Sequence, residues 1–275
     1  MIINSQKRLF GRGAKVSLFT LGTMRATESL EKMCSIIKNA YYVGINHIET
    51  APSYGDAESL VGNSIKKLAI EENIKEKNWV ITSKVLPKGD FEFLKNNFKK
   101  SLKNLNREKI NNLAIHGLNL KQHLDWVLAG EGKKFISWIL EKELVDQVGF
   151  SSHGSYSLIK DAINCEVFTF CSLHLHYLEQ SKIALAEEAI KKGMGVLAIS
   201  PADKGGRLYS PSDILIEASK PFHPLELAYR FLLAKGITTL SLGATNKKDF
   251  EFAHKLRNSF GKLTKLEKSA LNTIE

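Results

Sequence analysis

The sequence predicts a single α/β domain over residues 1–275, a (β/α)8 TIM barrel with a short N-terminal hairpin. Three observations predict it. Short apolar runs alternate eight times with amphipathic stretches, glycines stand where several amphipathic stretches end, and polar residues gather at the ends of the apolar runs. The chain has the length of one such barrel, and no Pro- or Ser-rich linker divides it.

Taken in order, residues 1–15 are expected to turn around Gly11 and Gly13 as a hairpin that closes the barrel bottom. The candidate barrel strands are "VSLFTLGT" (16–23), "INHIET" (45–50), "WVITSKV" (79–85), "NNLAIHG" (111–117), "QVGFSS" (147–152), "VFTFCSLHLH" (167–176), "GVLAIS" (195–200) and "TTLSLGA" (238–244). Helix patterns lie near 28–43, 57–69, 91–105, 133–143, 156–164, 181–192, 224–235 and 247–258, each with apolar residues near the 3.6-residue period. In the first, Leu30, Met33, Ile36, Ile37 and Ala40 share one face, and Thr27 is the expected N-cap. "YYVGIN", "KKGMGV" and "LAKGIT" carry Gly at the expected C-cap, where a left-handed residue ends a helix at least strain. A last helix is expected over 263–275. A doubly wound sheet is the alternative, but the first strand runs into "GTMRATES" and not into GxGxxG.

Composition narrows the function. The formal net charge is +10, carried by 32 lysines against seven arginines, and the lysines spread over helix-like stretches such as "FLKNNFKKSLKNLNREK" as a solvated face. Nucleic acid is therefore not the expected partner, because binders of that kind cluster Arg with exposed aromatics; an anionic small molecule suits the charge. The three cysteines, Cys34, Cys165 and Cys171, show no CxxC spacing and read as reduced core thiols. No apolar run nears the roughly 20 residues of a membrane span, and "MIINSQKRLFGRGAK" lacks the apolar segment of a secretory signal, so no membrane partner and a cytoplasmic location are expected.

In a barrel of this type the chemistry collects at the C-terminal ends of the strands. There the sequence places Glu49 and Thr50, with Tyr54 in the next loop, then Ser83 and Lys84, then His116, then Ser151, Ser152 and His153. Singly, each has an ordinary role: Glu49 caps a turn, Lys84 extends out of the mouth, His116 is a satisfied core histidine. Together they suit carbonyl reduction, in which an acid protonates the oxygen while hydride reaches the carbon. A tyrosine serves if a cation stabilises its phenolate; bringing its pKa from about 10 toward 7 takes roughly 4 kcal/mol. Lys84 is the expected cation, and Glu49 the group that holds it.

These residues stand in motifs that resemble the aldo-keto reductase superfamily along essentially the whole chain: "LGTM" (21–24), "GINHIETAPSYGDAESLVG" (44–62), "ITSKV" (81–85), "LAIHG" (113–117), "GFSSH" (149–153), "ISPADKGGRL" (199–208) and "LSLGATN" (240–246). More narrowly, "GINHIETAPSYG", "LAIHG" and "ISPADKGGRLY" resemble a bacterial branch whose members often carry a C-terminal ferredoxin-like segment. No such segment follows here, which leaves a barrel-only member or a separate ferredoxin-like electron partner.

The resemblance implies a catalytic set of Glu49, Tyr54, Lys84 and His116, with Glu49 in place of the usual Asp, and no metal. It implies NADPH as cofactor, with NADH the alternative, and a small-molecule carbonyl substrate. Ser151 and Ser152 are implied to face the nicotinamide carboxamide; the usual amide near Cys171 or Ser172 is missing, and Ile199 replaces an aromatic stack with an apolar contact. In "SPADKGGRLY", after Ser200, Gly205 and Gly206 let backbone N–H groups approach a pyrophosphate while Lys204 and Arg207 supply charge. The stretch Gly243, Ala244, Thr245, Asn246 and Lys248 is implied to meet the adenosine 2′-phosphate. Asp249 stands there where an Arg is common, a repulsion that Lys247 and Lys248 are expected to offset. Loops at 24–29, 52–53, 118–126 and 208–220 would set substrate choice, with His123 and Trp126 as pocket or core residues; His174 and His176 alternate with leucines but lack a third ligand. The alternative function is a catalytically weak, nucleotide-binding redox sensor or regulator on the same barrel.

Overall fold

The computed structural model describes residues 5–259 and 261–274, so residues 1–4 of the expected hairpin segment and Glu275 of the expected last helix lie outside the described residues. An antiparallel hairpin, β1 (Lys7–Leu9) and β2 (Lys15–Ser17), sets Arg8 opposite Val16. Eight parallel strands follow: β3 (Phe19–Gly22), β4 (His47–Glu49), β5 (Val80–Val85), β6 (Ile110–Ile115), β7 (Val145–Ser152), β8 (Phe170–His174), β9 (Gly195–Ile199) and β10 (Thr239–Leu242). They close into a barrel in chain order, with β10 pairing both β9 and β3. Each apolar run of the sequence supplies one barrel strand.

The first run differs in one respect: it is divided between β2 and β3. The Ser17 N–H donates to Asn46 Oδ1 (2.7 Å) and its hydroxyl to the Phe19 carbonyl (2.6 Å), which ends the hairpin strand and bends the chain into the barrel.

The surrounding helices are α1 (Leu30–Tyr42), α2 (Ala57–Glu71), α3 (Phe91–Asn104), α4 (Lys121–Ala129), α5 (Glu131–Glu141), α6 (Tyr156–Asn164), α7 (Ile183–Lys191), α8 (Asp213–Ser219), α9 (Pro224–Ala234), α10 (Glu251–Leu256) and α11 (Lys265–Ile274). In α1 the expected face holds, with Met33, Ile36, Ile37 and Ala40 buried, but the cap is Ser29 and not Thr27. Ser29 Oγ accepts from the Lys32 N–H (3.1 Å), two residues nearer the first turn than Thr27 lies. Helices α4 and α8 arise inside stretches expected as loops; α4 buries only Leu124 and Val127, and α8 only Ser219, so neither shows a long apolar stripe. The pattern at 247–258 starts as a 3-10 turn, Lys247–Phe250, before α10. Gly44, Gly193 and Gly236 have φ of 88°, 78° and 85°, the left-handed geometry that ends a helix before a strand.

The hairpin plugs the N-terminal end of the barrel. Phe10 is fully buried, with its ring 5.2 Å from His47 and 5.0 Å from Phe170 between centroids. Burying such a ring contributes about 2–3 kcal/mol. Around it runs a polar floor that the barrel interior must satisfy internally. His47 bridges Thr20 Oγ1 through Nδ1 and Thr82 Oγ1 through Nε2, both at 2.7 Å. Asn112 Nδ2 donates to Thr82 Oγ1 (2.9 Å), and Gln147 Nε2 donates to Asn112 Oδ1 and to the Phe10 carbonyl, each at 2.8 Å. The floor thus ties five strands and the hairpin together, and leaves the other end of the barrel open.

His47 is fully buried, and its pKa is lowered to about 3, first by burial and then by the charge of Lys84. In the unfolded chain the ring titrates near about 6.5, so between the two values the unfolded state binds a proton that the folded state refuses. The stability this represents is present above pH about 6.5 and is lost as pH falls toward 3, by up to about 1.4 kcal/mol per pH unit. Urea unfolding between pH 7 and 4 should therefore show a steeper loss for the native protein than for His47→Gln, by close to one proton per molecule; parallel pH profiles would refute the assignment.

Candidate active site

At the open end, β4 delivers Glu49 and β5 delivers Lys84. Side chains alternate along a strand, and Glu49 lies opposite Thr82, so Lys84, two residues on, points into the barrel one layer above Thr82. Lys84 is 3 % exposed and Glu49 4 %, and the two form an ion pair. The loop after β4 turns at once, with the Tyr54 N–H donating to the Ala51 carbonyl (3.0 Å), and brings the Tyr54 ring back over the lysine. Lys84 Nζ donates to Tyr54 Oη (2.9 Å) and to the Thr50 carbonyl (3.0 Å), and lies 4.4 Å from the centre of the phenol ring. His116 follows β6. Its ring meets that of Tyr54 edge-on at 5.8 Å, and its Nδ1 lies 3.2 Å from Ser53 Oγ. Glu49, Tyr54, Lys84 and His116 form one cluster.

The electrostatics differ from the expectation at one point. Tyr54 was expected to be acidified by Lys84; instead its pKa is raised, by burial first and then by the negative charge of Glu49. Burial makes the phenolate costly, and the Glu49 carboxylate beside Lys84 adds to that cost, so the phenol keeps its proton. Burial likewise lowers the pKa of Lys84, against the opposing charge and hydrogen bond of Glu49 and the charge of Glu58. His116 falls to about 4 through burial, Lys84 and His153, in that order, and is neutral near pH 7. Glu58 went unnoticed in the sequence although it lies in the same motif: it is buried on α2 and its Oε1 accepts from Ser83 Oγ (2.6 Å). Nothing in its spacing distinguishes it from a first-turn helix acid.

Two cavities reach this cluster. One of about 440 Å³ opens between α2 and α3, past Phe93, Asn97 and Asn104, onto Lys84 and His116. The other, about 620 Å³, runs from Glu49, Tyr54 and His116 past His153 and Ile199 to the loops after β3, β9 and β10. Ser200, Lys204, Gly205, Gly206 and Gly243 line this second cavity.

The remaining expected residues lie elsewhere. Ser151 Oγ accepts from the Gly117 N–H (3.0 Å), and Ser152 Oγ donates to the Leu118 carbonyl (2.6 Å), so both hydroxyls brace the loop after β6. In the strand register Ser151 pairs with Ser172, a buried hydroxyl without a hydrogen-bond partner among the described residues. Arg207 contacts the Asp203 carboxylate (3.4 Å), Ala244 is buried, and Thr245, Asn246 and Lys248 lie past the cavity's far end. His123 and Trp126 sit on α4, where the His123 ring pairs with the Gly117 carbonyl and Trp126 Nε1 donates to the Gly89 carbonyl. The rings of His174 and His176 are 5.0 Å apart, with His153 5.9 Å from His174; among the described residues no group of three His, Cys, Asp or Glu is arranged for a metal.

The loop after β9 is held in an uncommon shape: Ser200, Asp203, Gly205 and Gly206 all have φ between 54° and 81°. Asp203 accepts from the Lys204 N–H and lies 3.5 Å from His176 Nε2. Arg25, absent from the sequence-based set, reaches across from the loop after β3 and donates from Nη2 to the Gly205 carbonyl (3.0 Å). A cavity wall of bare glycine backbone flanked by Arg25 and Lys204 suits an anion.

Residues 19–213 match the Aldo/keto reductase family. The chain is 28 % identical over 217 residues to an aldose reductase of Encephalitozoon cuniculi, a match covering 73 % of this chain and 69 % of that protein. It is 24 % identical over 214 residues to the aldo-keto reductase str7 of Strobilurus tenacellus, covering 74 % and 61 %. Among solved structures, the holo form of aldo-keto reductase AKR11C1 from Bacillus halodurans superposes with a TM-score of 0.83 at 18 % identity, over 98 % of this chain and 96 % of that one. The aldose reductase of Schistosoma japonicum gives 0.73 at 20 % identity, over 95 % and 89 %. At such identities the structural likeness speaks for the fold.

The described electrostatics make the His116 ring a neutral group. In histidine-labelled protein its ring resonances should stay unshifted from pH 8 to 5 and move only near pH about 4; a titration near about 6.5 would show a ring open to water.

Proposed function

The chain belongs to the aldo/keto reductase family, and on that premise we propose that it reduces a small aldehyde or ketone to the alcohol at Tyr54, using a reduced nicotinamide dinucleotide. The observation that carries this reading is the contact of a protonated, half-buried phenol with a buried ammonium at the mouth of a closed barrel.

The residues present fit the cofactor. The 620 Å³ cavity is lined by the glycine backbone at 205 and 206, and Ser172, paired with Ser151 across the strands, carries a buried hydroxyl without a partner among the described residues. Lys204, Arg25, Ser200 and Gly243 would hold the dinucleotide, which when bound supplies the hydride.

The protein's own part concerns the carbonyl oxygen. Tyr54 Oη donates a hydrogen bond to it and gives up its proton as the carbon is reduced, so hydride and proton together complete the alcohol. With Ser53 Oγ donating to Nδ1, the neutral His116 ring carries its proton on Nε2 and offers it as a second donor to the same oxygen. The phenolate left behind is stabilised by Lys84 at 2.9 Å. Glu49 keeps that ammonium in place; by raising the phenol's pKa it also favours return of the proton. The narrower cavity between α2 and α3 reaches Lys84 and His116, and solvent there can resupply the proton.

The raised Tyr54 pKa also favours a second reading, a nucleotide-binding sensor of low turnover on the same barrel. Steady-state reduction of a generic aldehyde separates the two. Tyr54→Phe should lower kcat by at least about 100-fold while dinucleotide quenching of protein fluorescence persists. Native protein as inert as the variant, with quenching retained, would replace the reductase by the sensor.

A further inference from the structure

The large cavity ends at Ser241 and Gly243, just before the turn that follows β10. Past Ser241 and Gly243, which line the cavity, the chain bends through Thr245 and Asn246 into the 3-10 turn Lys247–Phe250. At this bend four donors converge on a single oxygen, Asp249 Oδ2. The N–H groups of Thr245 and Asn246 approach at 2.7 and 3.0 Å, and Thr245 Oγ1 and Asn246 Nδ2 each at 3.1 Å. Convergent backbone N–H groups make a cradle for an anion. This cradle already holds one, and the anion belongs to the chain.

The cradle lies near the cavity end. Tyr209 lines the cavity, and the charges of both Asp249 and Arg25 act on its hydroxyl, which places these two groups about the same end. Asp249 Oδ2 is saturated, whereas no hydrogen bond is made to Oδ1 among the described residues. Lys247 and Lys248 are exposed and form no ion pair among the described residues, so their charges are mobile and screened while the carboxylate is fixed.

We infer that Asp249 selects the cofactor by filling the cradle at the adenosine end, so that the chain takes the dinucleotide bearing a free ribose 2′-hydroxyl, NADH, and disfavours its 2′-phosphorylated counterpart. A ribose hydroxyl can donate to the open Oδ1, the way an acidic side chain commonly reads an unphosphorylated ribose. A 2′-phosphate carries about −1.5 to −2 charges, must stand against a fixed carboxylate, and finds the N–H groups that would receive it already bonded. The NADPH expected from the resemblance thereby gives way to NADH, and the expected offset by Lys247 and Lys248 is insufficient. The inference rests on the reading that a nicotinamide dinucleotide occupies this cavity.

Titration of the intact protein with NADH and with NADPH, followed by tryptophan fluorescence, tests it without turnover. NADH should bind at least about tenfold more tightly. Asp249→Asn, which keeps an oxygen acceptor for the turn, should tighten NADPH by about tenfold and weaken NADH by about three- to tenfold, opposite shifts at a thermal midpoint close to the native one. A purely structural role would weaken both dinucleotides alike. Tighter binding of NADPH than NADH by the native protein, or equal shifts of both in the variant, overturns the inference and leaves the reductase reading standing. Binding of neither dinucleotide overturns both.

Discussion

The ammonium of Lys84 governs the arrangement of the barrel mouth. Removing such a group from water costs several kcal/mol, so it persists only where partners enclose it. Its partners all come from one side: Glu49 at the end of β4, the Thr50 carbonyl beside it, and Tyr54 in the loop that follows. Satisfying one lysine therefore fixes where that loop must turn and which way the phenol must face. A glutamate here, one methylene longer than an aspartate, still meets Nζ while Tyr54 Oη keeps its own contact. The cost is that burial and the nearby carboxylate together oppose ionisation of the phenol, and Tyr54 rests as a protonated acid.

The two ends of the barrel are built by the same alternation of side chains along β4 and β5. His47 and Thr82 point inward and belong to the floor; Glu49 and Lys84, each two residues on, belong to the mouth. The layers are close enough for the Lys84 charge to add to burial in holding the His47 ring neutral. Chemistry at the mouth and closure at the base are thus consecutive rungs of one ladder, and a shift of strand register would disturb both.

Much of this was legible in the sequence because it depends on period and position. Eight apolar runs gave the eight barrel strands, and the polar residues at their ends marked Glu49, Tyr54, Lys84 and His116 as neighbours before any contact was known. What escaped notice depends on contacts between distant segments. Ser29 caps α1 through one hydrogen bond that Thr27 could equally have offered from sequence, and α4 and α8 bury too few side chains to leave a stripe. Arg25 and Gly205 are 180 residues apart, so their bridge across the cavity has no local signature. Asp249 was visible as a charge in an unusual place, but the direction in which it turns its oxygen was not.

The polar floor has a direction. Gln147 Nε2 donates to Asn112 Oδ1, and Asn112 Nδ2 donates to Thr82 Oγ1, which leaves the threonine's own proton for His47 Nε2. With that proton so used, the imidazole holds its hydrogen on Nδ1 and gives it to Thr20 Oγ1, which also pairs with Thr239 Oγ1 at 2.8 Å. A side-chain amide on β7 is thereby linked to a histidine on β4, three hydrogen bonds away. In this orientation the base of the barrel is a polarised chain of hydrogen bonds, each donor handing on to the next acceptor.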